Sequence, residues 1–538
     1  MRLINCKTLE LEFFELSDAP PYAILSHTWE NGEVIFEDFQ LPETRMKKKG
    51  WAKIELTCRQ ALANSLCYAW VDSCCIDKRS SSELSESINS MFKWYAHSAE
   101  CYAYLSDFTQ SNSSQDITSC YWFERGWTLQ ELIAPFKMSF YDKDWKLVGT
   151  KQSLSHQISQ RTNINESILK AGSFDSVRSQ LDACTVAQRM SWAAARKTKR
   201  PEDLAYCLLG IFDISMPMLY GEGERAFTRL QEEIIKETND MTIFAWQSSS
   251  SAQIAESYAE IQNGTTKYRG ILAERPAEFV TAHMLRPPQD KMINPEYSMT
   301  NKGLKIDIGL RQLSYDVFFM PLNCFPSSGP SQQLGICLRN QGEGIYARAN
   351  PGALLLEPGS SQFSPGQIYI SKHLKSSAVQ ALKIDNRYAF KFTYTHKRSV
   401  YRCQTEAMEP RSQWDTANGL FMVAPGQSSF TGYHRVSWNT QAGTAGEFIV
   451  LCGYDTPSKP WVCLTTLPKN PQLYNAAKSV DMKTASRLAQ DYNNMRAVLK
   501  PHWPEHVDVS LAKETRIEGG TTFTTFHVEI IMAVNHWS

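Results

Sequence analysis

Short apolar runs alternate with segments of helical period through the first part of this chain. The run at residues 22–26 follows Pro20 and Pro21, as a buried strand does when it begins at a turn. Residues 49–66 carry apolar side chains at helical spacing, and residues 67–72 are apolar again. The pattern therefore predicts a strand, a helix and a second strand.

The alternation continues to residue 141. Ser80 and Glu83 have the spacing of a capping box, and the apolar positions from Leu84 to Tyr95 keep a helical period. Two further strands are predicted at residues 101–107 and 138–141, with a helix over residues 127–133 between them. This βαβαβαβ order predicts an α/β fold with a mainly parallel sheet, helices on its faces and right-handed crossovers.

Polar side chains close the predicted strands. Ser26 and His27 follow the first strand and Asp72 closes the second. Ligands of parallel sheets bind beyond the carboxyl ends of the strands, so these residues are candidates for a binding site. Polar residues also end strands simply because strands end at turns, which is the alternative reading.

The helix over residues 127–133 begins at the same edge of the sheet. It places Trp127 and Glu131 four residues apart, so an aromatic ring and a carboxylate share one helical face. Glu131 is the candidate working residue. The alternative is an ordinary amphipathic helix with Trp127 in the core and Glu131 in solvent.

The pattern of apolar and polar residues changes in the rest of the chain. Residues 186–196, 201–212 and 224–237 predict helices, residues 241–246 predict a strand, and the serine run at 248–251 predicts a boundary. Beyond it, short β-prone runs separated by turn residues predict a β-rich sandwich or barrel-like domain with one helical interruption at residues 475–499. We therefore expect a first domain with a helical extension at 1–245, a linker at 246–266 and a β-rich domain of unknown role at 267–538.

Composition excludes several classes of function. A chain of 538 residues exceeds what one hydrophobic core usually serves. Its 56 basic and 56 acidic residues balance, so the composition has no excess positive charge that would indicate binding to nucleic acid or an anionic membrane. The start lacks a signal peptide's apolar core, and no apolar run is long enough to span a bilayer. We expect a soluble, cytoplasmic protein with no membrane span.

Several chemistries have no motif here. The 14 cysteines lie mostly in apolar runs without a CxxC pair, so buried thiols are expected rather than a disulfide framework or a zinc site, and no metal is predicted. A P-loop and a GxGxxG fingerprint after the first strand are both absent from the sequence, as is a long internal repeat. Cys74 and Cys75 with His27 leave a thiol nucleophile open as an alternative.

Three blocks, in order, resemble the fungal heterokaryon incompatibility (HET) domain: residues 22–29, residues 70–78 continuing through 83–92, and residues 125–132. The resemblance covers about residues 20–240 and includes the segments 207–212 and 219–223. Departures are small, with Ser73 where Thr is usual and Glu30 where Gly often follows the first block's Trp29.

HET domains are in turn similar to TIR domains, which implies a flavodoxin-like fold. In enzymatic TIR domains a glutamate on the third helix, often in a Trp-x-x-x-Glu context, is needed to cleave NAD between nicotinamide and ribose. Trp127 and Glu131 fit that pattern. The resemblance therefore implies Glu131 as the catalytic residue, NAD as a substrate rather than a bound cofactor, and a nucleotide site lined by Ser26, His27, Trp29, Asp72 and Trp127.

Open alternatives remain for these residues. Trp29 and Trp127 would stack on the base, wall the pocket or simply pack in the core, and His27 fits a hydrogen-bonding or core role better than that of a general base. For the whole protein, the resemblance implies a cell-death effector that is active when clustered. A signalling adaptor acting through HET-domain self-association, without chemistry, is the alternative. The C-terminal region would sense a signal or serve only as structure, and an upstream sensor protein is a further expected partner.

Overall fold

The computed structural model describes residues 1–534 except short stretches. These stretches are residues 111–115, 249–252, 262–266, 288–293, 314–316, 328–331, 343, 359–365, 383–385, 398–401, 416–418, 424–426, 428, 441–442, 457–458, 467–469, 480–481, 491–495, 500–504 and 519–520. The described chain is mixed α/β at its N-terminal end and β-rich at its C-terminal end, as predicted.

The N-terminal region contains seven strands and the helices between and after them. The strands are β1 (Arg2–Asn5), β2 (Leu11–Phe13), β3 (Tyr22–His27), β4 (Tyr68–Trp70), β5 (Glu100–Tyr104), β6 (Met138–Tyr141) and β7 (Leu147–Thr150). The helices are α1 (Phe36–Phe39), α2 (Pro42–Arg45), α3 (Trp51–Ala63), α4 (Asp72–Cys75), α5 (Ser81–His97), α6 (Thr128–Ile133), α7 (Ser155–Thr162), α8 (Glu166–Leu169), α9 (Phe174–Asp182), α10 (Val186–Ser191), α11 (Asp203–Tyr206), α12 (Leu209–Phe212) and α13 (Arg225–Glu237).

These strands form one sheet in the order β2-β1-β4-β3-β5-β6-β7. The four predicted strands, β3 to β6, are its parallel centre, with Ile24 beside both Trp70 of β4 and Cys101 of β5. The antiparallel edge strands β1, β2 and β7 were not predicted. The reason is that β1 and β2 are short and only Leu3 and Ile4 among them are buried.

The parallel strands change winding direction at β3. The chain passes from β3 to β4 on one side and then returns to β5 on the other. In open parallel sheets such a switch point leaves a crevice beyond the carboxyl ends of the strands. Ser26 and His27 end β3, and Asp72 begins α4 just after β4, so all three lie at this crevice.

The predicted helices before residue 100 are confirmed. At the start of α5 the Ser80 hydroxyl accepts a hydrogen bond from the Glu83 amide at 3.3 Å. The Glu83 carboxylate does not return to Ser80 but accepts from the Asp77 amide at 2.9 Å. Only the Ser80 half of the predicted capping box is therefore present.

Three predictions between residues 186 and 246 need correction. The helix predicted over 186–196 ends at Ser191, and the one predicted over 201–212 is broken into α11 and α12. The strand predicted at 241–246 is wrong, since Met241–Phe244 is a 3₁₀ helix capped by the Asp240 carboxylate. The carbonyls of Phe244 and Trp246 accept from the buried Arg348 guanidinium instead of from a neighbouring strand.

The remainder is mostly antiparallel sheet. Its elements are β8 (Gln253–Ala255), α14 (Tyr258–Ile261), β9 (Tyr268–Arg269), β10 (Leu285–Arg286), β11 (Tyr297–Thr300), β12 (Gly303–Asp307), β13 (Arg311–Gln312), β14 (Val317–Pro321), β15 (Phe325–Pro326), β16 (Gln332–Gly342), β17 (Ile345–Ala349), β18 (Ala353–Pro358), β19 (Gln367–Ile370), α15 (Ser376–Leu382), β20 (Asn386–Lys397), β21 (Arg402–Glu409), β22 (Trp414–Asp415), β23 (Leu420–Met422), β24 (Phe430–Thr440), β25 (Gly443–Tyr454), β26 (Pro460–Thr465), α16 (Pro471–Lys478), α17 (Met482–Gln490), β27 (Arg496–Leu499), β28 (Glu505–Glu518) and β29 (Thr521–Val534). The helical interruption predicted at 475–499 is right for α16 and α17 and wrong for its last residues, which form β27 and pair with β28.

Two large hydrophobic cores support these elements. The first contains buried side chains from Met1 to Ile370, and the second contains buried side chains from Phe390 to Ile530. The linker at 246–266 stays a prediction, and the change of core suggests a further division near residue 380. In the part of the chain described here, no helix has the length and apolar character that a bilayer crossing requires.

Candidate functional site

The Glu131 carboxyl is buried, not solvated. Glu131 is only 6% exposed, on the first turn of α6. Its Oε2 accepts a hydrogen bond of 2.5 Å from the Ser26 hydroxyl at the end of β3. The same hydroxyl oxygen accepts from the Trp122 indole N–H at 2.9 Å. Because the Ser26 oxygen accepts the Trp122 N–H, the Ser26 hydroxyl proton is left to point to Glu131.

Burial has a large effect on this carboxyl. Loss of solvation raises the pKa of Glu131 to about 8, and the negative charge of Asp72 adds to the rise. Hydrogen bonds from Ser26 and Tyr95 and the charge of Arg125 oppose it. Glu131 is therefore mainly a neutral acid at pH 7 in the ligand-free protein.

Asp72 joins two of the other predicted site residues. One carboxylate oxygen pairs with His27 Nε2 at 2.8 Å, and the other accepts from the Trp29 indole N–H at 2.8 Å. Burial alone would raise the pKa of Asp72, but the hydrogen bonds of His27 and Trp29 and the charge of Lys78 hold it well below its usual value. Asp72 is thus a permanent anion near Glu131. Within the described residues, His27 Nδ1 is buried without a hydrogen-bond partner.

Two buried cations hold the short helix α6 in place. At its start, Arg196 donates to the Arg125 carbonyl at 2.7 Å and to the Thr128 hydroxyl at 2.9 Å. At its end, the Lys151 ammonium donates to the carbonyls of Leu132, at 3.2 Å, and Pro135. Burial lowers the pKa of Lys151 to about 8. A cation is favourable at a helix C-terminus, where carbonyls lack partners. The position of Glu131 is therefore fixed from both ends.

A cavity of about 340 Å³ opens beside these groups. Five of the six predicted site residues line it, namely His27, Trp29, Asp72, Trp127 and Glu131. The sixth, Ser26, is fully buried and reaches the cavity through Glu131. One wall is apolar and is formed by residues after β4 and on α5: Ile76, Leu84, Ile88 and Met91. The cavity therefore has carboxyl groups beside an apolar surface that suits a flat ring.

Other lining residues were not predicted. They are Lys78, Arg125, Thr128, Lys199, Arg200, Asp203 and Tyr220. Tyr220 donates to Asp203 at 3.1 Å, and burial raises the pKa of Asp203. Lys78, Arg125 and Tyr220 lie inside sequence blocks that carry the HET resemblance. Lys199 and Arg200 follow the last turn after α10 and have no motif of their own.

The thiol alternative finds no support in this geometry. Cys74 and Cys75 are buried and do not line the cavity. The Cys74 thiol donates to the Val71 carbonyl, and burial raises its pKa, which disfavours a reactive thiolate. His27 Nε2 is occupied by Asp72. Thirteen cysteines are described as free, and all but Cys67 are buried, as the apolar runs predict.

Sequence comparison relates part of the N-terminal region to a known family. A family model described as "Heterokaryon incompatibility protein (HET)" matches residues 22–119. The vegetative incompatibility protein HET-E-1 of Podospora anserina is 42% identical over 229 residues, which are 40% of this chain and 16% of that protein. The chain thus spans about a sixth of the length of this curated relative.

Two further matches lie elsewhere or are weak. A domain of unknown function, DUF8212, matches residues 225–334. The solved structure of the Xerocomus chrysenteron lectin XCL matches 27% of this chain and 97% of its own chain, at 17% identity and a TM-score of 0.19, which is too low to indicate a shared fold. The family model and the curated relative both carry the incompatibility name, so the N-terminal region is similar to heterokaryon incompatibility (HET) domains.

Proposed function

We propose that this protein acts in fungal heterokaryon incompatibility as a cytoplasmic cell-death effector, and that its N-terminal domain cleaves NAD between nicotinamide and ribose. The observation that carries the proposal is the buried Glu131 carboxyl, held by Ser26 at the wall of a cavity that Trp127, Trp29 and Asp72 also line. The incompatibility role is supported by the name of the Podospora relative.

The strand order supports the assignment to the TIR-like, flavodoxin-like class. Numbered among themselves, the parallel strands β3 to β6 lie in the order 2-1-3-4. Flavodoxin-like sheets share this order and bind their ligand at the switch point beside the first strand. Ser26 and His27 lie at that point.

The chemistry fits a carboxylate at this position. When the bond from ribose C1 to the nicotinamide nitrogen breaks, its electron pair goes to the nitrogen and neutral nicotinamide leaves. C1 then carries positive charge, which a nearby carboxylate stabilises. Water adds to C1 and releases a proton, giving ADP-ribose. Glu131 would stabilise the charged ribose, and Ser26 would hold the carboxylate in place.

Binding of NAD would itself favour the ionised form of Glu131. The nicotinamide ring of NAD is positively charged, and an opposite charge close to a carboxyl lowers its pKa. The elevated pKa of about 8 in the free protein then falls when this ring enters the cavity. Trp29 and Trp127 line the cavity together with the apolar residues and would pack against the rings of the dinucleotide.

The enzymatic proposal is tested by incubating the full chain with NAD at low and high protein concentration and measuring free nicotinamide by chromatography. Light scattering on the same samples reports self-association. Nicotinamide release that increases per molecule as the protein self-associates supports a clustered enzyme. Self-association without any release would instead favour the adaptor function, in which HET domains recruit one another and an upstream sensor supplies the signal.

A further inference from the structure

We propose that Lys199 and Arg200, at the mouth of the cavity, bind the diphosphate group of the dinucleotide. This inference rests on the proposed function, and the diphosphate is the part of NAD that these two residues would recognise. It also assigns a role to a segment after α10 that lies outside the residues matched by the HET family model.

Four cationic side chains line the cavity, namely Lys78, Arg125, Lys199 and Arg200. Among the described residues, none of the four forms an ion pair with a carboxylate. Lys197, in the same segment, does form one, at 2.9 Å from Glu124, and it does not line the cavity. Lys78, Arg125 and Arg200 act at longer range on Asp72, Glu131 and Asp203, but all four cations keep N–H donors that can bind an anionic ligand.

Three of these cations lie over aromatic rings, Arg125 more loosely at 5.8 Å from the centre of the Tyr121 ring. The Arg200 guanidinium lies 4.6 Å from the centre of the Tyr220 ring, and the Lys78 ammonium lies 3.3 Å from the centre of the Trp29 ring. Stacking on a ring face orients a cation but leaves its N–H groups free to bind an oxyanion. Arginine in particular can donate two parallel hydrogen bonds to phosphate oxygens.

The ring under Arg200 is itself fixed. The Tyr220 hydroxyl donates to Asp203 at 3.1 Å. The next residue, Gly221, has a positive φ of 105°, and its amide donates to the Glu202 carboxylate at 2.8 Å. This turn holds Tyr220 at the cavity, so Arg200 has a defined place without any ligand.

Acidic side chains of the cavity lie deeper in the protein than the basic side chains of Lys199 and Arg200. The acidic groups Glu131 and Asp203 are buried, whereas Lys199 and Arg200 are exposed. A fitting ligand therefore has a cationic or neutral ring at one end and a strongly anionic group a short distance away. Oxidised NAD has this arrangement, with a positively charged nicotinamide ring joined through ribose to a diphosphate.

The test compares Lys199→Ala/Arg200→Ala with the matched control Lys197→Ala in the full chain. Calorimetry measures the dissociation constants of ADP-ribose, inorganic diphosphate and adenosine, and melting curves check that each variant is folded. We expect the double variant to bind ADP-ribose about tenfold more weakly or worse, to lose diphosphate binding and to keep its affinity for adenosine. Lys197→Ala should behave as the wild type.

Three outcomes would overturn the inference: no ADP-ribose binding by the wild type, unchanged ADP-ribose affinity in the double variant, or an equal loss of adenosine affinity. Nicotinamide release separates this inference from the proposed function. If the protein binds ADP-ribose through Lys199 and Arg200 but releases no nicotinamide, the diphosphate site is supported and the enzymatic function is contradicted. If the double variant cleaves NAD with an unchanged KM, the enzymatic function is supported and the diphosphate site is contradicted.

Discussion

The Ser26 hydroxyl donates a hydrogen bond of 2.5 Å to the Glu131 carboxyl, across 105 residues of sequence. It connects the end of the first parallel strand, β3, to the helix α6. A hydrogen bond to an ionised carboxylate is stronger than one to a neutral acid. Ser26 therefore moderates a pKa that burial has raised.

The pH dependence of cleavage follows from this relationship. We expect kcat/KM for NAD to rise with pH and to level off above about pH 8, because Glu131 must lose its proton to stabilise a cationic ribose. Initial rates of nicotinamide release between about pH 6 and pH 9.5 measure this. A profile that falls over that range would show that the protonated acid, or another group, is the active form.

Replacing Ser26 should shift that profile to higher pH. In Ser26→Ala the carboxylate loses its hydrogen bond, so the pKa of Glu131 rises further. We also expect kcat/KM on the plateau to fall about tenfold, which corresponds to one lost hydrogen bond. Ser139→Ala is a matched control. Ser139 lies on β6, outside the cavity lining, and its hydroxyl donates a hydrogen bond of 2.8 Å to the Glu100 carboxylate. Equal profiles for the two variants would contradict a role for Ser26.

Replacing Asp72 should shift the profile the other way. The negative charge of Asp72 raises the pKa of Glu131, so Asp72→Asn lowers that pKa and moves the rising limb to lower pH. The plateau rate should nevertheless fall, because an amide cannot accept hydrogen bonds from both His27 and Trp29 as the carboxylate does. Parallel pH profiles of Ser26→Ala and Asp72→Asn test the opposite signs, and shifts in the same direction would contradict this electrostatic description.

The free energy of unfolding should also depend on pH because of the buried Glu131 carboxyl. The folded-state pKa of Glu131 is about 8 against an ordinary value of 4.5, so the folded state binds the proton more tightly. Its contribution to the free energy of unfolding is therefore lost as pH rises through about 8. We expect Glu131→Gln, which cannot ionise, to be more stable than the wild type at about pH 9, by on the order of 2–4 kcal/mol, and nearly equal to it at about pH 5. Denaturant unfolding at both pH values measures the difference, and a gap independent of pH would contradict it.

The sequence predicts the parallel centre of the sheet well because its strands are continuous apolar runs between clear helical segments. The run at 241–246 shows the limit of that reasoning. All of its side chains are buried, and a short apolar run gives no period that separates a strand from a buried helical turn. Besides the local cap from Asp240, the carbonyls of this segment are bound by Arg348, which lies 104 residues beyond Phe244 and which no local pattern reveals.

The candidate site divides in the same way. Glu131, Trp127 and Asp72 could be found because strand ends and helix faces place them at one edge of a sheet. That Glu131 is buried could not be predicted, since it depends on Ser26 meeting Trp122 and Glu131, which lie 96 and 105 residues further along the chain. Lys199 and Arg200 join the cavity only through the packing of the helical extension, for which no local pattern exists.

The most direct test of the account compares nicotinamide release by the wild-type full chain, Glu131→Gln and Glu124→Gln, at a concentration where the protein self-associates. Glu124 is a suitable control because it pairs with Lys197 away from the cavity. We predict that Glu131→Gln slows release at least about a hundredfold, the usual effect of removing one group that stabilises transition-state charge, while Glu124→Gln stays within about twofold of the wild type. Release by Glu131→Gln at the wild-type rate would contradict the central claim that the buried Glu131 carboxyl performs the chemistry.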